Sequence, residues 1–261
     1  MRQPSLAATS WSTDLLVVLT QKEIKVRYKS SWLGYAWSVA NPLAFALVYF
    51  MAFGVFMRVQ IPGYPYPLFL VVGLFPWQWV ANSINMAPST FVANATLIKR
   101  VRFPRAALVA SSVLNDGLHF LVSLPVIVVL LLAYGFTPSW TWLAGVPLLI
   151  LAQFMLIYGI ALIVASLNLF FRDLERLTAI ATSFLFFMTP IIYPFDNIPP
   201  RYQPLLRLNP LSSIIGAWQE LFLAGTLDLG AVAIGYAWGA VFLVLGWLVY
   251  RALSPRFAEL V

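Results

Sequence analysis

Between Arg58 and Lys99 no side chain of this chain carries a charge, and the stretch ends abruptly in Lys99-Arg100-Val101-Arg102-Phe103-Pro104-Arg105. After Arg105, only Asp116 and His119 can be charged before Arg172. A water-facing domain cannot run so far without charged surface positions, because about a quarter of its residues are normally Asp, Glu, Lys or Arg. Here the charged share is 10% and the hydrophobic share 61%. Long apolar segments punctuated by a short cationic turn are the pattern of membrane spans joined by a cytoplasmic loop. The fold class expected is therefore an all-α polytopic membrane protein.

A spanning helix needs roughly 20 predominantly apolar residues. Six segments qualify: 30–57, 68–91, 106–134, 140–171, 177–194 and 230–250. Turns separate them, among them Ile61-Pro62-Gly63-Tyr64-Pro65-Tyr66-Pro67, where closely spaced prolines remove donors and fix φ. The 16 Lys and Arg divide unevenly over this scheme. Arg58, Arg201 and Arg207 fall on one side, and the remaining 13 on the other. The cation-rich side is the cytoplasmic one. Six spans then put both termini in the cytoplasm. The net charge of +7 reads as an orientation signal and not as nucleic-acid affinity. No cleaved signal peptide is expected, since no short apolar stretch precedes a small-residue cleavage site. The absence of Cys removes disulfides and thiolate metal sites, and a single His argues against a His-rich metal centre.

Three regions call for more than a span. Leu15 to Lys29 has helical patterning, with Lys22, Lys25 and Lys29 on one face and Val17, Ile24 and Tyr28 on another. A basic amphipathic helix ahead of the first span lies in the membrane plane, with cations toward anionic headgroups; the plainer alternative is a positive-inside anchor. In the cationic island, Leu97, Ile98, Val101 and Phe103 alternate with the charges, which suits insertion into a cleft on another protein as well as simple topology. Residues 196–228 fall on the outer side of the membrane, yet they hold an apolar run from Leu211 to Leu223 that is too short to span. With breaks at Pro199-Pro200 and Asn209-Pro210, two short re-entrant helices are expected there. Asp116 and His119, at i and i+3, share a helix face. They are either a structural pair or members of an intramembrane proton relay.

Several blocks then carry a resemblance. Arg27-Tyr28-Lys29-Ser30-Ser31-Trp32-Leu33-Gly34-Tyr35-Ala36-Trp37 with Asn41-Pro42 is similar to the opening signature of polysaccharide-exporting ABC transporter permeases. Gly73-Leu74-Phe75-Pro76-Trp77, Asn94 through Leu97-Ile98 to Phe103-Pro104-Arg105, Asn168-Leu169-Phe170-Phe171-Arg172-Asp173, Thr189-Pro190-Ile191-Ile192-Tyr193 and Asn209-Pro210 resemble later blocks in order. Over residues 15–255 the chain most resembles the O-antigen export branch, with teichoic-acid and capsule permeases as siblings.

The resemblance implies one transmembrane domain over 1–261, working as a homodimer above two separate ABC ATPase subunits. Its parts would be an amphipathic interface helix at 11–30, a coupling helix at 94–105 and periplasmic re-entrant helices at 196–228. The coupling residues would be Asn94, Leu97, Ile98, Lys99, Arg100, Arg102, Phe103 and Arg105. Lys22, Lys25, Arg27, Tyr28 and Lys29 would belong to a gate helix. Because spans one and five line the family's channel, Tyr49, Phe53, Phe184, Phe186, Phe187 and Tyr193 are the channel candidates, offering apolar faces to sugar C–H groups. The expected substrate is a lipid-linked polysaccharide, moved across the inner membrane. No G-x-x-x-x-G-K-[ST] phosphate loop is present, so no cofactor is expected in the chain, and ATP and Mg belong to the partner ATPase. A membrane glycan-transferring enzyme is the weaker alternative: the outer loops offer only Asp196, Glu220 and Asp228 as acids, and no His. A secondary transporter would favour intramembrane charge and inverted repeats, of which only Asp116 is present.

Overall fold

A computed structural model describes residues 14–22, 36–101 and 103–260. Among these the chain is helical, with no β-strand beyond an isolated bridge between Ile61 and Tyr64. The first helix, α1, covers residues 14–22. It buries Leu19 and Thr20 while Val17 and Val18 face outward. The rest of the expected in-plane helix, with Ile24, Lys25, Arg27, Tyr28 and Lys29, lies outside the described residues.

Five helical segments are long and apolar enough to cross a membrane among the described residues: Val39–Phe56, Tyr66–Ala93, Ala106–Ala133, Thr141–Asn168 and Leu229–Arg256. The first is α2 (Trp37–Tyr49), which widens into a π-helical stretch at Phe50–Phe56. The second is α3 (Tyr66–Met86), continued through a 3-10 turn into α4 (Thr90–Ala93). The others are α6 (Ala106–Ala133), α7 (Thr141–Asn168) and α11 (Leu229–Leu253).

The sixth expected segment differs. Helix α8 runs over Leu174–Met188, only 15 residues, or about 22 Å at 1.5 Å per residue, against a hydrocarbon thickness of about 30 Å. It stops where Thr189-Pro190 forces extended backbone, since a residue before proline avoids the α region. The chain that follows is not lost to solvent: Thr189, Ile191 and Ile192 are fully buried. Two short helices then fill the segment where a pair was expected, α9 (Gln203–Arg207) and α10 (Pro210–Leu223).

Helix α3 is the axial post of the bundle, packed by α2, α6, α8 and α10, and α10 is wedged between it, α7 and α11. One buried amide ties three of these together. Gln153 of α7 donates Nε2–H to the Pro76 carbonyl of α3 (2.9 Å), and its Oε1 accepts from the Trp218 indole of α10 (2.7 Å). In an apolar bundle each such group must find a partner inside the protein, so Gln153 fixes the depth of α10 as well as its contact. Asn209 does the same at the start of α10. Its Oδ1 caps the Leu211 N–H, and its Nδ2 donates to Thr189 Oγ1 at the end of α8. Helices α7 and α11 meet through glycines, the usual means of close helix approach in membranes, with Gly159, Gly239 and Gly246 at the contact.

Candidate transport groove and coupling face

Two sites emerge from this frame, at the α2–α8 face and at the loop between α3 and α6. A groove of about 260 Å³ runs between α2, α3 and α8. Tyr49 stacks on Phe186 at 5.2 Å between ring centroids, and Phe186 meets Trp77 at 5.6 Å and the edge of Phe187 at 5.2 Å. Phe45 and Phe53 flank Tyr49 at 6.4 and 6.3 Å. The floor is polar: Gln78 and Asn85 of α3 face Thr182 and Ser183 of α8, and the Thr182 hydroxyl donates to Asn85 Oδ1 (3.1 Å).

Of the aromatic candidates, the structure brings Tyr49, Phe186 and Phe187 into one groove and sets Phe53 beside them. Phe184 is not in its lining and is 70% exposed on another face of α8. Tyr193 is held close by donating its hydroxyl to the Phe187 carbonyl (2.5 Å). Sequence reasoning missed Phe45, Trp77 and the polar floor. A signal for the floor existed: Gln78, Asn82 and Asn85 recur at i, i+4 and i+7 in an otherwise apolar helix, which sets them on one face.

The loop between α3 and α6 contains α5 (Ala95–Arg100). Asn94 precedes it and is buried, donating Nδ2–H to the Thr90 carbonyl (2.9 Å). Its Oδ1 accepts a charge-assisted bond from Lys22 Nζ of α1 (2.6 Å). Lys99 and Arg100 occupy the last turn and are exposed, where cations complement the carbonyl end of a helix. Arg105 reaches back to donate to the Ser254 carbonyl beyond α11 (2.8 Å), and the Ala106 N–H donates to the Tyr250 hydroxyl (3.2 Å). The apolar members are placed differently from the expected outward alternation. Ile98 is buried in the chain's own core, Leu97 and Phe103 pack partly against it, and only Val101 of the four is exposed. Arg102 lies outside the described residues. The loop thus offers a cationic face braced from behind by apolar contacts.

Asp116 and His119 are both buried on α6, and Asp116 Oδ2 accepts from the Ser83 hydroxyl of α3 (2.9 Å). No group of three or more His, Cys, Asp or Glu that could hold a metal ion occurs among the described residues.

Comparison with known proteins places this architecture. An O-antigen export system permease protein RfbA of Klebsiella pneumoniae is 48% identical over 95% of both chains. An RfbA of Myxococcus xanthus is 34% identical over 94% of both. The polysialic acid transport protein KpsM of Escherichia coli is 27% identical over 88% of this chain and 90% of its own length. Residues 14–223, from α1 to the end of α10, match the ABC-2 type transporter family. With a family match over most of its length and relatives that align nearly end to end, the chain belongs to the ABC-2 type transporter family.

Proposed function

We propose that this chain is the permease subunit of an exporter that moves a lipid-linked, O-antigen-like polysaccharide across the inner membrane. The observation that carries the reading is the α2–α8 groove. Aromatic faces give a sugar chain an apolar platform without gripping particular hydroxyls, and the amide and hydroxyl floor exchanges hydrogen bonds as the chain advances. The groove lies on a face left open in the single chain: Phe45 and Phe187, which line it, are both exposed. In the working protein a second copy covers that face, so two grooves enclose one pathway. Six crossings, with α8 and the buried segment after it as the fifth, keep both termini cytoplasmic; α9 and α10 are the re-entrant pair.

Energy comes from two separate ATPase subunits, with ATP and Mg bound there. They press on α5 through Lys99 and Arg100, and Asn94 passes the movement to α1 through Lys22. Deleting the gene in its host tests the reading directly: lipid-linked glycan should accumulate inside the inner membrane and surface glycan should vanish, both restored by the wild-type chain. Undiminished surface glycan in the deletion strain would show the reading wrong. The likeness to KpsM supports capsular polysaccharide as the second reading, and antisera to O-antigen and capsule on the same strain separate the two.

A further inference from the structure

Helix α11 has one end at the α3–α6 loop, where the Ser254 carbonyl just beyond it holds Arg105, and the other end at a hollow of about 670 Å³. Its 25 residues extend about 37 Å at 1.5 Å per residue, more than the roughly 30 Å of hydrocarbon. The two ends therefore stand at opposite membrane surfaces. The hollow is bounded by the start of α11, one face of α10 and side chains between Pro190 and Arg207. Ser213, Gly216 and Glu220 recur at i, i+3 and i+7 along its α10 wall.

Both signs of charge line it. Arg207 is exposed, lies over the Phe195 ring at 5.5 Å, and forms no ion pair with the acids of the hollow, Asp196, Glu220 and Asp228. Two of these acids commit one oxygen to the fold and keep the other. Glu220 Oε1 accepts from the Thr226 hydroxyl (2.8 Å), and Asp228 Oδ1 accepts from the N–H groups of Gly230 (2.7 Å) and Ala231 (3.1 Å). Ser212, in the first turn of α10, also lines the hollow; it is buried and its hydroxyl has no hydrogen-bond partner. An unmet buried hydroxyl is costly, and a ligand in the hollow would meet it after a turn about χ1. Gly216 supplies room, since a Cβ there would find no atom within 4 Å.

Charge and surroundings narrow the occupant. No three acids stand close enough to hold a metal ion among the described residues, so the carboxylates suit an organic ammonium better than a bare cation. A lone phosphate would face three acids and one cation. A zwitterion, with ammonium at one end and phosphate at the other, meets both signs through charge-assisted bonds. The hollow also opens onto lipid. Ile234 lines it and is exposed, and Val241, Leu245 and Leu248, also exposed, follow at i+7, i+11 and i+14 on the same face of α11. A headgroup seated in the hollow would have its acyl chain along that stripe.

We propose that this hollow binds the headgroup of one phosphatidylethanolamine molecule of the outer leaflet. Arg207 and the hydroxyls of Ser212 and Ser213 take the phosphate, Glu220 and Asp228 take the ammonium, and an acyl chain follows the α11 stripe from Ile234. A lipid held in this way ties Arg207, ahead of α10, to the start of α11. The choice of leaflet rests on the six-crossing reading above; the headgroup chemistry does not.

The test titrates the full chain in detergent with dioleoyl phosphatidylethanolamine, phosphatidylglycerol and phosphatidylcholine, read by native mass spectrometry. Phosphatidylethanolamine should saturate a site about tenfold or more tighter than the other two, because phosphatidylglycerol lacks the ammonium and choline has no N–H to donate. Arg207→Gln and Glu220→Gln should each weaken it about tenfold, the scale of a charge-assisted hydrogen bond. Gly216→Leu, which fills the room without touching a charge, should remove it. Arg207 is exposed and Glu220 half-buried, so both Gln variants should elute as the wild type does, and they decide the matter if the Leu variant misfolds. Glycerophosphoethanolamine, which lacks the chains, should compete about tenfold or more weakly than the lipid. Equal binding of all three lipids, binding unchanged in both Gln variants, a soluble headgroup as tight as the lipid, or displacement of the lipid by methyl glycosides would each overturn the proposal.

The leaflet is read separately. The chain has no Cys, so Gly216→Cys places a single thiol in the hollow, and a membrane-impermeant maleimide should label it in intact spheroplasts. Labelling only in inside-out vesicles would overturn the six-crossing reading and the leaflet with it, and leave the headgroup site standing. Labelling from outside without selective lipid binding would overturn the site alone.

Discussion

Where α7 meets α11, backbone lies against backbone. A Cβ on Gly159 would sit 2.3 Å from the Phe242 carbonyl carbon, and one on Gly246 would sit 2.4 Å from the Gly159 oxygen. Helix α2 is seated in the opposite way. Only 11% of its most apolar stretch is buried in the chain, against 78% of the corresponding stretch in Tyr66–Ala93. It rests on α3 and α6 with aromatic rings and open space alongside. Small residues at a helix contact maximise van der Waals packing, the main attraction available between helices in lipid. Large rings over hollows leave volume into which a helix can move. One helix seam is thus closed backbone to backbone, while the α2 face is left open, with a groove between its rings.

The contrast can be broken first at its rigid side. Gly159→Leu has no rotamer that avoids the α11 backbone, so it should cost more than about 4 kcal/mol and remove the monodisperse peak in detergent size-exclusion chromatography. A fold that tolerates it with unchanged melting would deny that α7 and α11 form a rigid pair. Next, Arg100→Glu reverses the charge of an exposed helix-end residue. Export and co-purification of the ATPase should drop by about tenfold or more, as for a reversed charge at a binding face, while the thermal midpoint stays put. Unaltered co-purification would remove α5 from the motor interface.

The open side is probed by Tyr49→Ala combined with Phe187→Ala. Surface glycan should fall several-fold, on the scale of about 1–3 kcal/mol for sugar-facing stacking by analogy with base stacking, with the homodimer intact by crosslinking. Export at wild-type level would sink the aromatic pathway. The smallest effect belongs to Lys22→Ala, which removes one charge-assisted bond worth about 1–2 kcal/mol. ATPase co-purification should be retained and glycan export per ATP hydrolysed should decline modestly. A loss as large as that of Arg100→Glu would mean that Lys22 itself touches the motor.

Much of this was legible in the residues. Charge-free runs and prolines located the five long helices and the short pair after α8, because apolar length and helix breaks act locally. The end of α8 was missed by several residues: Leu177 to Pro194 is free of charge throughout, and hydropathy does not register that Thr189-Pro190 turns the chain into a buried extended segment. At the coupling loop, alternation pointed Leu97, Ile98, Val101 and Phe103 toward a partner. Alternation, however, cannot tell a partner's cleft from the chain's own core, and three of the four turned inward. The aromatic groove was half visible. Tyr49 and Phe186 came from a family resemblance, but their contact spans 137 positions of sequence and no local pattern encodes it. The polar stripe of α3 could have been read; its meaning needed the groove beside it.

The bond from Arg105 to the Ser254 carbonyl, and that from the Ala106 N–H to the Tyr250 hydroxyl, also bear on how the protein is made. Both acceptors belong to the last long helix or to the turn just after it, whereas both donors stand at the start of α6. During synthesis α6 and α7 must therefore wait in the bilayer, with Gly159 unmatched, until α11 emerges. A ribosome that stalls before α11 would leave inserted helices whose α3–α6 loop has lost two of its anchors. A nascent chain of that kind would occupy the membrane without the bracing that holds this loop in the finished protein, so the loop's shape depends on completion of the chain.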